Sequence, residues 1–349
     1  MPAARLVSLD VFRGLTIAAM VIVNNPGTWA AAYPPLRHAA WHGLTATDVI
    51  FPFFLFIVGV AIPLSQPGPG RVLRRAAVIF TLGLLLNVIG NPDLATVRIP
   101  GVLQRIALCY AAAAALYRTT SWRTQSVVIA LLLLGYWAAL TLVPVPGFGR
   151  GVLTPEGNLA AWVDRAVLGP HVWKVSRVYD PEGILSTLPA IATTLIGVLA
   201  GAWIRSGRTP RAIYMGFAWT GMAAILLGAA WSLAFPLNKS LWTSSYVLVT
   251  AGLALVIFAG CYQAIDVHGR RAWAAPLVVL GVNALALYFL STLVAIVLAR
   301  TGARAWMFEH AFTPWASSVN ASLAYALAFL LVWWAIMWGL YRTGVRVRA

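Results

Sequence analysis

Histidine is the side chain that takes or gives a proton near neutral pH and can also act as a nucleophile. Two of the five histidines in this 349-residue chain, His38 and His42, lie in one polar loop, NNPGTWAAAYPPLRHAAWHGLTATD. His38 is the stronger candidate for such chemistry; its bland alternative is an interfacial histidine beside Arg37. His42, next to Trp41, reads more simply as interfacial. Thr45-x-x-Asp48 closes the loop with the spacing of an N-cap pair that opens a helix. Asp48 could instead accept a proton from the imidazole and fix its tautomer, the orienting role in a base dyad. Asn24, at the loop's other end, can donate a hydrogen bond to an acyl oxygen as an oxyanion-type group, or simply cap the preceding helix.

Three further polar groups interrupt the apolar sequence. Gln104 and Arg105 fall in the first turn of an apolar run, where an arginine snorkels outward or faces a cavity. Asp180-Pro181-Glu182-Gly183 and Asn238-Lys239-Ser240-Leu241-Trp242 each precede another run. Proline and acids are ordinary helix-start residues, yet together these groups supply the carboxylates and the tryptophan of a sugar site. His268 and His310 have no acidic or histidine neighbour at ligand spacing, so no metal is expected. Cys109 and Cys261 sit in apolar runs and read as buried structural thiols.

The elements that must position these residues are membrane helices. The chain is 61% hydrophobic and only 10% charged, against about a quarter charged in soluble domains. That excludes an ordinary soluble domain and a single-span protein with a soluble catalytic part. The fold expected is all-α, a polytopic membrane helical bundle of about ten transmembrane helices, near 11–24, 48–64, 76–91, 102–117, 126–143, 185–204, 212–233, 243–265, 275–299 and 319–341. It is read as one transmembrane domain over 1–349, with a retained first helix and no internal repeat. A longer external connection, 144–184, is an irregular Pro/Gly stretch followed by a short amphipathic helix near 158–168. The first span has only ten apolar residues between Arg13 and Asn24, about 15 Å of helix against a core of about 30 Å. The second is also short, so the loop between them is read as the floor of a sunken external vestibule.

The net charge of +16 would point to nucleic acid in a soluble protein, but here it is a topology signal. Arg71, Arg74, Arg75, Arg118, Arg123, Arg205, Arg208, Arg211, Arg270 and Arg271 fall on one side, with Arg5, Arg13, Arg342, Arg346 and Arg348. Most acids fall on the other. Both termini are therefore expected in the cytoplasm and the chemistry outside. No nucleic-acid partner is expected; the bilayer is one.

Ser8-Leu-Asp-Val-Phe-Arg-Gly14, Val23-Asn24, His38-Ala-Ala-Trp-His-Gly-Leu-Thr45, Asp48-Val-Ile-Phe-Pro-Phe-Phe54, Gly101-Val-Leu-Gln-Arg-Ile106, Tyr179-Asp-Pro-Glu-Gly-Ile184 and Asn238-Lys-Ser-Leu-Trp242 resemble the heparan-alpha-glucosaminide N-acetyltransferase family and its bacterial relatives. The motifs run in the family's order from residue 5 to beyond 242. The resemblance implies transfer of acetyl from cytosolic acetyl-CoA, a co-substrate, across the membrane to an amino-sugar amine. It implies that His38 matches the catalytic histidine and Asn24 the active-site asparagine. The lysosomal members' luminal domain and extra span are not expected in this chain, and the segment between Asn24 and His38 is longer. The acceptor expected is therefore a glucosamine-type or cell-wall sugar rather than heparan, and the location the inner (cytoplasmic) membrane of a bacterium.

On this reading Asp48 orients His38, and Asp180, Glu182, Asn238, Lys239 and Trp242 serve the acceptor. Arg13, Arg71 and Arg75, with Gln104 and Arg105, serve the acetyl-CoA. Guanidinium groups suit its phosphates. A homodimer is compatible with it. Two other classes fit the same composition: an amino-sugar permease, against which stands the lack of paired discontinuous helices in matching halves, and an O-acyltransferase of an envelope polysaccharide. A non-catalytic scaffold does not explain so many polar groups at membrane depth.

Overall fold

The computed structural model describes residues 6–345; Arg5, Arg346 and Arg348, counted above among the inner charges, lie outside them. Among the described residues the protein is helical throughout, with a single isolated β-bridge between Val145 and Gly149. Thirteen α-helices follow one another: α1 Val7–Asn24, α2 Ile50–Ser65, α3 Pro69–Gly90, α4 Val102–Thr119, α5 Trp122–Leu142, α6 Leu159–Leu168, α7 Thr187–Ile204, α8 Pro210–Trp231, α9 Ser244–Cys261, α10 Ala275–Val282, α11 Ala284–Arg300, α12 Ala303–Met307 and α13 Ser318–Arg342. This is a polytopic helical membrane protein. Eight helices are long and apolar enough to cross a bilayer, and a ninth span arises if α10 and α11 count as one. The expected span 102–117 forms a helix, α4, but Gln104, Arg105 and Arg118 leave it outside the set apolar enough to cross.

Helix boundaries depart from the apolar runs where charge is tolerated inside a helix. Residues 7–10 extend α1 to 18 residues, about 27 Å at helical rise. Asp10 and Arg13 fit within it because they neutralise each other at 3.1 Å and Arg13 also donates to the Gly281 carbonyl. Likewise α3 starts at Pro69, a residue suited to the first helical turn, and carries Arg71, Arg74 and Arg75 inside the helix. The expected span 275–299 is broken at Asn283, where α10 and α11 meet at 66°. Asn283 is 1% exposed and its side chain donates to the Val345 carbonyl, which ties the break to the chain's far end. The amphipathic helix expected near 158–168 is α6, capped by the Asn158 side chain on the Ala161 N–H.

The described residues form two compact units. The first holds 6–39, 45–51 and 261–345. In it α1 packs along α10 and α13, around Val11, Ile265 and Ala274. A Cβ on Gly281 would run into the Asp10 carbonyl, and one on Gly14 into that of Leu277. Backbones this close require the missing side chain, the usual way membrane helices gain packing. Asp266 accepts the Val7 and Ser8 N–H groups and so caps α1 from a distant part of the chain.

The second unit holds 40–44 and 52–260, with α3 on α4 and α7 against both α4 and α5. A Cβ on Gly59 of α2 would strike the Thr194 carbonyl, and one on Gly197 that of Phe56, so α2 and α7 also cross backbone to backbone. The connection 144–184 folds onto this unit: Val145, Leu159 and Ala160 join Tyr136, Leu140, Phe235 and Leu241 in one apolar cluster. Cys109 is buried and Cys261 half-buried, both as free thiols.

Candidate active site

In the first unit the loop after α1 brings His38 onto Asp48. Asp48 is 1% exposed and His38 45%, with Nδ1 of the imidazole 2.7 Å from Oδ1 of the carboxylate. The other oxygen, Oδ2, accepts the Ala39 N–H at 3.1 Å and the Thr45 N–H at 3.0 Å, and the Thr45 hydroxyl stands 2.9 Å from it and 2.7 Å from the Arg37 carbonyl. The two oxygens of Asp48 thus have different partners. Oδ2 reaches back to the Thr45 N–H as a capping carboxylate does, while Oδ1 receives the imidazole.

The chemistry follows from counting protons. A carboxylate ringed by donors has no proton to give, so the hydrogen on Nδ1 of neutral His38 is the one shared with Asp48. That leaves the lone pair on Nε2, the arrangement of an oriented general base or nucleophile. The neighbouring Arg37 is exposed and bonded to the Ala30 carbonyl.

Asn24 is the last residue of α1 and is exposed. The capping that its position invites is done by Asn25, whose buried amide donates to the Val21 carbonyl at 2.7 Å. The sequence alone could not separate these adjacent amides.

In the second unit the remaining candidates form a polar cluster. Asp180 and Glu182 are not isolated acids: Arg98 binds the Asp180 carboxylate through Nε at 2.8 Å and again through Nη2, and reaches Glu182 at 2.5 Å. Burial alone would push the Glu182 carboxyl up, but the charges of Arg98, Arg105 and Lys239 outweigh it and hold it below the usual range. Burial works against the Arg98 charge too, and the two carboxylates more than restore it.

Arg105 neither snorkels nor reaches solvent. It is 1% exposed, donates to the Gly183 carbonyl and Ser186 Oγ, and stacks over Trp242 at 5.2 Å. Gln104 is buried beside it. Both thus stand at the end of α4 that faces the Asp180–Gly183 turn. Trp242 is fully buried and donates its indole N–H to Thr193. Asn238 is fully buried as well, with its amide 3.3 Å from His42 Nδ1.

Asp164 on α6 was missed. Its carboxylate accepts the Asp180 N–H at 3.2 Å and the Ile184 N–H at 2.9 Å, so it holds the turn that carries Asp180 and Glu182. Burial pushes its carboxyl up to about 6, against the pull of those two N–H groups. The available signal was an acid on the inward face of an amphipathic helix, where an unpaired charge is not kept.

The arginines expected to hold a cofactor's phosphates separate. Arg13 is engaged by Asp10 and Gly281 in the first unit. In the second, Arg71 is exposed near the start of α3 and Arg75 lies over the Tyr110 ring at 5.2 Å. At the C-terminal ends of α2 and α4 a cavity of about 500 Å³ is lined by Ile62, Gln66, Pro67, Ala114, Tyr117 and Arg118. Arg118 is pinned to the Pro67 carbonyl at 3.0 Å, and Arg205 to that of Pro63 at 2.7 Å.

The relatives agree with the motifs. The catalytic region of the heparan-alpha-glucosaminide N-acetyltransferases matches residues 5–237. The human heparan-alpha-glucosaminide N-acetyltransferase is 30% identical over 81% of this chain, and the mouse protein of the same name 30% over 82%. The alignments cover 52% and 53% of those proteins, so the chain spans about half the length of the curated relatives it matches. With its motifs in order and two thirds of its length within the family's catalytic region, the chain belongs to the heparan-alpha-glucosaminide N-acetyltransferase family.

Proposed function

We propose that this protein is a transmembrane acetyltransferase of a bacterial inner membrane, moving acetyl from cytosolic acetyl-CoA to the amine of an external amino sugar of the glucosamine or cell-wall type. The observation that carries the reading is the His38–Asp48 pair, a half-exposed imidazole held through Nδ1 by a buried carboxylate, in a chain of this family.

Two routes use the same atom. Nε2 of His38 attacks the thioester carbonyl, CoA leaves as the thiolate, and the acetyl-imidazole passes its acyl group to the sugar amine. Alternatively Nε2 takes the proton of the sugar ammonium, the free amine attacks the thioester, and CoA leaves as its thiol with a second proton from the attacking nitrogen. In either route the imidazole becomes cationic and the Asp48 carboxylate balances that charge. Asn24, with an exposed amide at the end of α1, is the donor to the oxyanion that forms on the acyl carbon.

For the donor, the cavity beside Arg118, with Arg205 fixed on the neighbouring carbonyl, joins Arg71 and Arg75 as the phosphate-binding set; guanidinium groups held by backbone oxygens are pre-oriented for such contacts. Arg13, already spent on Asp10, is the weakest member of the expected set. Arg105 supports the Asp180–Gly183 turn and stacks over Trp242, which favours an acceptor-side role for it beside Asp180, Glu182, Asn238, Lys239 and Trp242, while the Gln104 amide lies against Gly83 and Gly101.

The test is incubation of purified protein with labelled acetyl-CoA, with and without glucosamine. Acetyl transfer that disappears in His38→Ala is expected, and label trapped on the wild type without sugar selects the acetyl-enzyme route. Activity surviving His38→Ala overturns both routes. Mass spectrometry of the product as ester rather than amide moves the protein to the O-acyltransferases, and sugar counterflow without acetyl-CoA consumption moves it to the permeases.

A further inference from the structure

We propose that His42 is a neutral hydrogen-bond donor through Nε2–H, locked in that tautomer by Asn238, and that it binds an oxygen of the saccharide acceptor; the second half rests on the reading above that the acceptor is a sugar. The tautomer follows from the Asn238 amide. Its Oδ1 accepts the Leu241 N–H at 2.8 Å, and a backbone N–H can only face the oxygen of an amide. The nitrogen end is therefore the one 3.3 Å from His42 Nδ1. An amide nitrogen has only hydrogens to offer, so Nδ1 must supply the lone pair and the ring's single proton sits on Nε2.

This geometry is built rather than incidental. Asn238 is fully buried, its own N–H donates to Thr243 Oγ1 at 3.1 Å, and the Gly43 N–H donates to the Leu237 carbonyl at 2.8 Å. The segment that carries His42 is thus fixed to the turn that carries Asn238. A cationic imidazole would bring two donors face to face across that contact, and partial burial also lowers the affinity of His42 for a proton.

His42 as a whole is exposed. Trp41 meets it edge-on at 6.1 Å and meets Tyr179 at 5.0 Å. Aromatic surfaces with a few fixed polar groups are how proteins bind small polar ligands in a set orientation. A hydroxyl or ring oxygen of a sugar is the complement to a fixed N–H beside two such rings. The two histidines of one loop therefore carry opposite tautomers. His38 offers a lone pair at Nε2 and His42 offers a hydrogen there, so His42 does not replace His38 as base or nucleophile.

The experiment combines histidine ¹⁵N NMR of the whole detergent-solubilised protein with steady-state kinetics toward glucosamine. The wild type is expected to show His42 neutral with the proton on Nε2, and that N–H resonance is expected to shift when glucosamine is added. His42→Gln, whose amide nitrogen occupies the Nε2 position, is expected to keep the acceptor KM within about threefold. His42→Phe is expected to raise it tenfold or more, with kcat and the KM for acetyl-CoA unchanged within about threefold. Asn238→Asp presents a carboxylate to Nδ1, which reverses the tautomer and is expected to raise the acceptor KM as His42→Phe does. An Nδ1–H tautomer in the wild type, no resonance shift at saturating glucosamine, or an unchanged acceptor KM in His42→Phe each overturns the proposal. A wild type that consumes no acetyl-CoA overturns the proposed function instead, while the tautomer and the sugar-induced shift still decide this one.

Discussion

At the scale of single residues the site turns on where one carboxylate sends its two oxygens. Asp48 could have been only a helix cap, and in part it is. Its second oxygen nevertheless holds the His38 proton at Nδ1, and this converts a half-exposed histidine into a group with a defined lone pair. Asp48→Asn is isosteric but puts an amide N–H or a weaker carbonyl against the imidazole and weakens the links to Ala39 and Thr45. Acetyl transfer is expected to fall by about 10² or more with little change in the KM for either substrate, because the loss lies in orienting and balancing charge in the transition state. Equal losses in Asp48→Asn and Asp48→Ala, both traced to unfolding by circular dichroism, would make the residue structural only. His38 and Asp48 were legible from residue type and spacing. The pairing was one of two readings of Asp48, and a ten-residue separation across an irregular loop fixes no distance that would choose between them.

At the scale of elements the connection 144–184 is more than a linker. Its helix α6 brings Asp164 under the turn Asp180–Gly183, and Arg165 bonds the Val178 and Glu156 carbonyls. Trp41 donates to the Leu153 carbonyl at 2.7 Å, and His171 bonds the Val97 carbonyl. The Asp164 carboxyl is raised to about 6 in the fold from an ordinary value near 3.8. A raised acid contributes stability that is complete below its unfolded value and is lost as pH climbs through its folded value. The wild-type melting temperature relative to that of Asp164→Asn is therefore expected to fall between about pH 4 and pH 6 and to level off above. Since Asn keeps one acceptor for two N–H groups, it also costs about 1 kcal/mol at low pH. Parallel melting curves for the two proteins across that window would remove Asp164 as the titrating group. The helix itself could be read from the amphipathic pattern, but which residues its inward face would meet could not.

At the scale of the whole molecule, composition already excluded a soluble domain, and the order of motifs carried the family. The eight long apolar helices and the bent pair agree with the first, and the family match over 5–237 with the second. The placement of both termini in the cytoplasm rests on the arginine distribution. In a Cys261→Ser background, a membrane-impermeant maleimide added to intact cells is expected to label Lys174→Cys and to leave Arg74→Cys unlabelled until the cells are opened. The reverse pattern inverts the orientation and with it the assignment of an external acceptor and a cytosolic donor.

Local properties of the chain determined most of the long apolar helices, the polar loop and the residues able to do chemistry, because hydropathy and side-chain type act over a few residues at a time. Only the tertiary structure decided the partners: Asp48 for His38, Asn238 for His42, and Arg98 for the two acids expected to serve the acceptor. It also buried Arg105 against Trp242 instead of letting it snorkel, and it broke the span at Asn283. The physical reason is the same in each case. A buried polar group is stable only with a partner that satisfies it, and that partner is chosen by how distant segments pack, which no local pattern records.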